Sequence, residues 1–221
     1  MEAFRPAAEN VVGIMLQIQN TQLDKRDSQR IYLLSAWQRL CLLMKSEFGP
    51  YLNQVLPSVL SMAALEPAMS VQGQDTMAAI TDVLNEVTPA TGETKTANVM
   101  TDEIEEKDVA IQMLNVFIDE VPELCYGYID QISRILLSLT DYLANDSIRS
   151  NSAQCLPGLM QAAKKAGIDQ AQLHEMARTY NENIYKAMEK ELDTDTLIVQ
   201  VQSFKDVIDA AGEGLMTAEQ V

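Results

Sequence analysis

Apolar residues return every three or four positions along most of the chain, the spacing that lines up side chains on one face of an α-helix. Val11, Val12, Met15, Leu16 and Ile18 mark a first helix over 4–20, and Ile31, Leu34, Trp37, Leu40, Cys41 and Met44 a second over 28–47. Gly49-Pro50 is expected to stop the second, a glycine at the helix end followed by a proline. Leu52, Val55, Leu56, Val59, Leu60 and Ala63 mark a third over 51–65. From 66 to 101 the periodicity fades into Thr, Ala and Gly, with one short helical stretch near 76–86. This reads as a long insertion, mobile or partly ordered.

Helical spacing resumes over 102–121 with Ala110, Met113, Leu114, Phe117, Ile118 and Val121, and over 122–144 with Ile129, Ile132, Ile135, Leu136 and Leu139. Three more helices fit 147–166, 169–192 and 195–211. With the insertion discounted, helix pairs recur about every 40 to 47 residues, the period of HEAT or armadillo hairpins. A lone hairpin cannot bury both of its stripes, so neighbours must stack. The predicted fold class is therefore all-α, an α-α superhelix of about four hairpins. A compact helical bundle is the alternative. The expected units are 4–48, 50–121 with an insertion at 66–103, 122–166, 169–212, and the start of a further repeat at 213–221.

Composition agrees. The chain is 47% hydrophobic and 5% aromatic, with nine Gly and seven Pro in 221 residues. A formal charge of −16, from 16 Lys and Arg against 32 Asp and Glu, makes nucleic acid a poor partner and favours basic ones. Cys41, Cys125 and Cys155 lie far apart, which fits reduced thiols better than a disulfide framework. The opening MEAFRPAAEN lacks the pattern of a signal peptide. No apolar run approaches the roughly 18 residues that span a membrane. The expectation is a soluble intracellular protein that contacts neither membrane nor nucleic acid.

Catalytic chemistry finds little support. A nucleophile needs a base in reach and a group to orient that base. The single histidine, His174, lies in QLHEMAR, a polar helix surface. No HExxH, GxSxG or phosphate-cradling glycine loop occurs, and no metal-ligand spacing or cofactor motif is present. The expectation is not an enzyme, with no cofactor and no metal. Cys155 falls on an inward stripe with Leu156, Leu159 and Met160, where cysteine packs as a small hydrophobe. Asp146 is expected to cap the helix that follows it, and Arg149 to tie one hairpin to the next through a carboxylate or carbonyl. Trp37 reads as core. Asp102, Glu103, Glu105, Glu106 and Asp108 open a helix on this reading. An acidic first turn suits the helix dipole, but five acids in seven positions exceed what capping requires.

At SAWQRLC, EEKDVAIQML and NDSIRSNSAQCLPGLMQAAKKAG the sequence resembles the importin-β (karyopherin-β) family, nearest its importin beta-3 branch. The matching residues are Ser35, Ala36, Trp37, Arg39 and Cys41; Glu105, Glu106, Lys107, Ala110, Met113 and Leu114; and Asp146, Arg149, Ala153 and Leu156. The resemblance implies HEAT repeats, each an outer and an inner helix, within a central fragment of a much longer superhelix. It further implies a nuclear transport receptor that shuttles between cytoplasm and nucleus. Such a receptor binds protein cargo carrying a basic nuclear localisation signal and releases it on Ran-GTP binding. Ran-GTP and nucleoporins would be partners of the full-length protein. One departure stands out: between Ser70 and Met100 this chain has only Asp75, Asp82, Glu86 and Glu93 as acids and no aromatic. The family's acidic, aromatic insertion is not reproduced.

The expected cargo face is the wall of inner helices. It comprises Glu105, Asp108, Gln112, Asn115 and Asp119, then Asn151 and Gln154 with Gln161 and Lys165, then Gln202, Asp206 and Asp209. Carboxylates would take ammonium groups and amides the peptide backbone. The rival is a HEAT scaffold that organises an enzyme complex through its ridge loops. A small α-helical enzyme would instead need a closed pocket with perturbed titrating groups.

Overall fold

The computed structural model describes residues 5–21, 27, 29–65 and 94–215. The expected helix near 76–86 and the start of a further repeat beyond 215 lie outside the described residues. The elements are α1 (Arg5–Asn20), α2 (Gln29–Met44), α3 (Gly49–Ala63), α4 (Thr94–Glu120), α5 (Pro122–Cys125), α6 (Ile129–Leu137), α7 (Asp146–Lys165), α8 (Gln170–Met188) and α9 (Thr194–Ala211). They build the predicted α-α superhelix of HEAT-type hairpins. Helices α2, α4, α7 and α9 stack in one layer, each against the next, while α3, α6 and α8 form the other.

Several boundaries differ from the pattern reading. Helix α2 ends at Met44, and Lys45 turns the chain with φ +51°. Gly49 is in right-handed helical geometry and Pro50 occupies the first turn of α3, where its missing N–H costs nothing. Gly49-Pro50 thus starts a helix rather than stopping one. The left-handed region disfavours a side chain, so Lys45→Gly is expected to raise stability by about 1 kcal/mol in urea melts.

Helix α4 begins at Thr94, so the last residues of the expected 66–103 insertion are helical. The acids from Glu103 to Asp108 consequently lie about two and a half to four turns inside the helix and do not serve its N-terminal dipole. The expected single helix over 122–144 is broken into α5, a 3₁₀ turn at Tyr126–Tyr128, and α6, with turns from Ser138. The cap of α7 is Asn145, whose side chain accepts from the Ile148 N–H at 2.9 Å. Asp146, expected to cap, is the first helical residue and accepts from the Ser147 N–H at 2.9 Å.

The core is one continuous cluster running through both layers. Phe48 occupies its first half: Trp37 meets it edge-on at 6.1 Å, Phe117 stacks on it at 5.5 Å and Tyr51 lies tilted at 6.2 Å. Phe48 thereby joins α2, α3 and α4. Trp37 is buried, as its spacing predicted, whereas Val11 is 46% exposed beside the buried Val12. Cys41, Cys125 and Cys155 are free and buried. Burial pushes the thiols of Cys41 and Cys125 up to about 12 and Cys155 higher still, so none is a thiolate nucleophile.

Where α4 crosses α7 the helices touch through a glycine. A Cβ on Gly158 would sit 2.5 Å from Ile118 Cγ2. Beyond the end of α3, Lys107 donates to the Leu65 carbonyl at 2.6 Å and lies over the Tyr142 ring, 5.3 Å from its centroid.

Candidate functional site: the inner helix wall

Helices α4, α7 and α9, which share one layer, carry polar residues at a spacing of seven, nearly two helical turns, so each set runs as a line along its helix. On α4 the line is Glu105, Gln112 and Asp119; on α7 it is Ser147, Gln154 and Gln161; on α9 it is Asp195, Gln202 and Asp209. Glu105, Asp119, Gln154, Gln161, Asp195, Gln202 and Asp209 are exposed, and Gln112 is half-buried. Adjacent helix axes lie about 8–10 Å apart, so the lines form a wall of carboxylates flanking a strip of amides.

Not every expected member of that wall is free. Asp108 accepts from Ser147 Oγ at 2.9 and 3.0 Å, from Asn151 Nδ2 at 3.1 Å and from Gln112 Nε2 at 3.0 Å. Asn151 also donates to Ser147 Oγ at 3.1 Å. Asp108 and Asn151 therefore stitch α4 to α7, and Asn115 is half-buried nearby on the same helix. On α9, Gln202 donates to Asp206 Oδ1 at 2.8 Å, and Lys205 donates to Asp209 Oδ2 at 2.6 Å. Lys165 is exposed and 3.9 Å from Glu123. Glu106 is buried and paired with Arg30 at 3.3 Å. The carboxylates best placed to meet a ligand are thus Glu105, Asp119 and Asp195.

Asp119 has a distinct environment. Its Oδ1 lies over Gly158, 3.7 Å from where a Cβ would stand, so the residue is exposed while its carboxyl rests against the α7 backbone. Burial first, and the neighbouring Glu120 second, raise its pKa above the ordinary aspartate range. An arriving cation would offset the Glu120 repulsion and favour the charged carboxylate.

Arg149 holds the next hairpin. Its Nε donates to Glu191 Oε2 at 2.7 Å, Nη2 to Glu191 Oε1 at 2.9 Å and Nη1 to the Tyr142 carbonyl at 3.0 Å. Glu191 further accepts from the Leu192 and Asp193 N–H groups, each at 3.0 Å, and from Gln200 Nε2 at 3.2 Å. Burial alone would raise the Glu191 pKa, but the Arg149 guanidinium and the two backbone donors outweigh it and hold it low. Gln200 is buried and also donates to the Thr140 carbonyl at 3.2 Å. The sequence reading missed Gln200. Its place at a seven-residue step before Val207, on a stripe with Thr196 and Ser203, is the signal that finds it.

On the outer side, α6 and α8 leave an open groove of about 620 Å³ lined by Ile129, Arg134, Leu137, Met176 and Tyr180 among others. Ser133 Oγ and the Tyr180 hydroxyl hydrogen-bond across it, and burial raises the Tyr180 phenol, so it offers no base. His174, half-buried, pairs its Nε2 with Gln170 Nε2 at 2.7 Å.

No family model matches the chain. Importin subunit beta-3 of Saccharomyces cerevisiae is 23% identical over 161 residues, which cover 72% of this chain and 15% of that protein. The crystal structure of Kap121p matches with a TM-score of 0.76 at 19% identity over 99% of this chain and 21% of that one. Kap121p bound to RanGTP matches with a TM-score of 0.75 at 19% identity, and Kap121p bound to Pho4p with 0.76 at 18%; these cover 99% of this chain and 21% of theirs. The chain therefore spans about one seventh of the curated relative and about one fifth of the solved ones. By sequence the chain is similar to importin subunit beta-3, and by fold it is an α-α superhelical segment like that of Kap121p.

Proposed function

We propose that this chain forms part of the inner, cargo-holding wall of a nuclear transport receptor that shuttles between cytoplasm and nucleus. The observation that supports this most directly is the set of parallel rows of exposed carboxylates and amides on α4, α7 and α9. The similar Kap121p has been captured with Pho4p, with Nup53p and with RanGTP. The ligand in this reading is an extended segment bearing a basic nuclear localisation signal. Glu105, Asp119 and Asp195 would take lysine ammonium groups, while Gln112, Gln154, Gln161 and Gln202 hold peptide backbone. Such exposed charge pairs contribute little each and weaken with salt, which suits a carrier that must release. Ran-GTP and nucleoporins would engage the longer protein, with Ran-GTP driving release. Catalysis has no place in this reading. The proposed units are the four hairpins α1/α2, α3/α4, α6/α7 and α8/α9.

The test is titration of a lysine-rich signal peptide against the chain and its Glu105→Gln/Asp119→Asn variant. Affinity is expected to fall about five- to tenfold in the variant, with a shallower salt dependence. Asp108 is unsuited to this test because its loss would loosen the α4–α7 seam. Unchanged affinity across the salt series overturns the assigned face. Because the Asp119 pKa is raised, it protonates before an ordinary aspartate as pH falls. In the wild type the Asp119 share of peptide affinity should accordingly be lost at a pH above the ordinary aspartate range, a component that Asp119→Asn removes.

A further inference from the structure

The edge of the molecule formed by the α6–α7 and α8–α9 turns carries two bare leucines on an unusually well-tied base. Leu143 is 61% exposed and Leu192 is 97% exposed. Leu143 precedes the cap residue Asn145 by two positions, and Leu192 immediately precedes the cap residue Asp193. The two turns are joined in four ways. Arg149 is bidentate to Glu191, Gln200 Nε2 donates to the Thr140 carbonyl at 3.2 Å, Thr140 Oγ1 donates to Asn183 Oδ1 at 2.6 Å, and Lys190 meets Asp141 at 2.9 Å. The backbone on either side of Leu192 is held as well, since Glu191 accepts from the N–H groups of Leu192 and Asp193. An apolar side chain on a loose loop could fold back onto the protein; these two are held away from it.

The surroundings select a partner. In residues 138–149 and 189–196 Arg149 neutralises Glu191 and Lys190 neutralises Asp141, which leaves Asp146, Glu189, Asp193 and Asp195, the last shared with the α9 row, outside those two ion pairs. This acidity disfavours an anionic lipid surface and favours cations beside an apolar stripe. Stacked hairpins repeat at about 8–10 Å, close to the roughly 10.5 Å between residues seven apart on a helix. We propose that this turn edge is a docking ridge for a basic amphipathic helix of a partner protein. The helix lays apolar residues at i and i+7 on Leu143 and Leu192, with lysines or arginines alongside. The ridge shares Asp195 with the α9 row, but its two leucines lie outside that row, and it does not depend on the transport reading.

The probe is a 20-residue helical peptide with leucines seven apart flanked by lysines on an alanine background. Its control is a peptide of the same composition with the leucines on opposite faces, so both carry equal charge. The designed peptide should bind at least tenfold more tightly than the control. The Leu143→Ser/Leu192→Ser variant should erase that difference, and the methyl resonances of both leucines should shift on titration in the parent chain. Both positions are exposed, so the double variant folds. Equal affinity for the two peptides, or a preference that survives the double variant, overturns the ridge. Loss of the preference in Glu105→Gln/Asp119→Asn would move the peptide to the inner wall and overturn it equally.

Discussion

Replacing Arg149 by alanine is expected to destabilise the chain by about 3–5 kcal/mol, lowering the melting midpoint by roughly 10 °C. The reason is the residue left behind. The Glu191 side chain is 2% exposed, and without Arg149 its charge stays in a low-dielectric setting with only amide donors. Removing both partners together, as Arg149→Met/Glu191→Met, should cost far less than the single change, because no uncompensated charge remains. The pH dependence follows from the sign of the shift. A carboxylate whose folded pKa is depressed contributes stability that is present above its unfolded pKa and lost as pH falls through the folded one. The wild-type contribution of Glu191 therefore persists through neutral and mildly acidic pH and disappears only below the ordinary glutamate range. In Arg149→Ala burial dominates, Glu191 takes a proton more readily, and the gap from wild type narrows as pH falls. Urea melts over a pH series check this; a gap independent of pH would mean that Arg149 acts through packing alone.

Phe48→Ala is expected to cost a similar 3–5 kcal/mol, by a different route. Phe48 is fully buried and touches aromatic rings from three helices, so truncation leaves a cavity that three rigid elements cannot close. Phe48→Leu keeps most of the volume and should cost under about 1.5 kcal/mol. The two variants also report on separate places, since Phe48 lies in the first half of the stack and Arg149 in the second. Hydrogen exchange should show Phe48→Ala loosening α2 to α4 first, and Arg149→Ala loosening α7 to α9 first.

What was legible in the sequence is what repeats. The stripes of α3 and α7 are plain because each helix buries one continuous face, and Arg149 is readable because its fork of donors at the start of α7 needs a carboxylate or carbonyl. What escaped was set by single residues or distant partners. Lys45 ends α2 in a conformation that sequence rules assign to glycine, while Gly49-Pro50, four residues on, carries the residue types of a stop. The first turns of α4, TKTANVMT, carry no apolar stripe in the sequence, which hides the start at Thr94. Asp108 reads as a free surface acid until α7, about forty residues later, brings Ser147 and Asn151 to it. Asn145 and Asp146 are equally good caps by residue type, and only the backbone geometry separates them.

The contact at Gly158 bears on mechanics. In a stack of hairpins, each helix crossing acts as a pivot, and a small rotation there is carried undiminished to everything stacked beyond it. With no side chain between the α7 backbone and Ile118, this pivot is closed to its limit and can open but not tighten. A bulkier residue at 158 would act as a shim, so that one methyl group at a single crossing alters the curvature of the whole superhelix and the spacing at which its inner rows meet an extended chain.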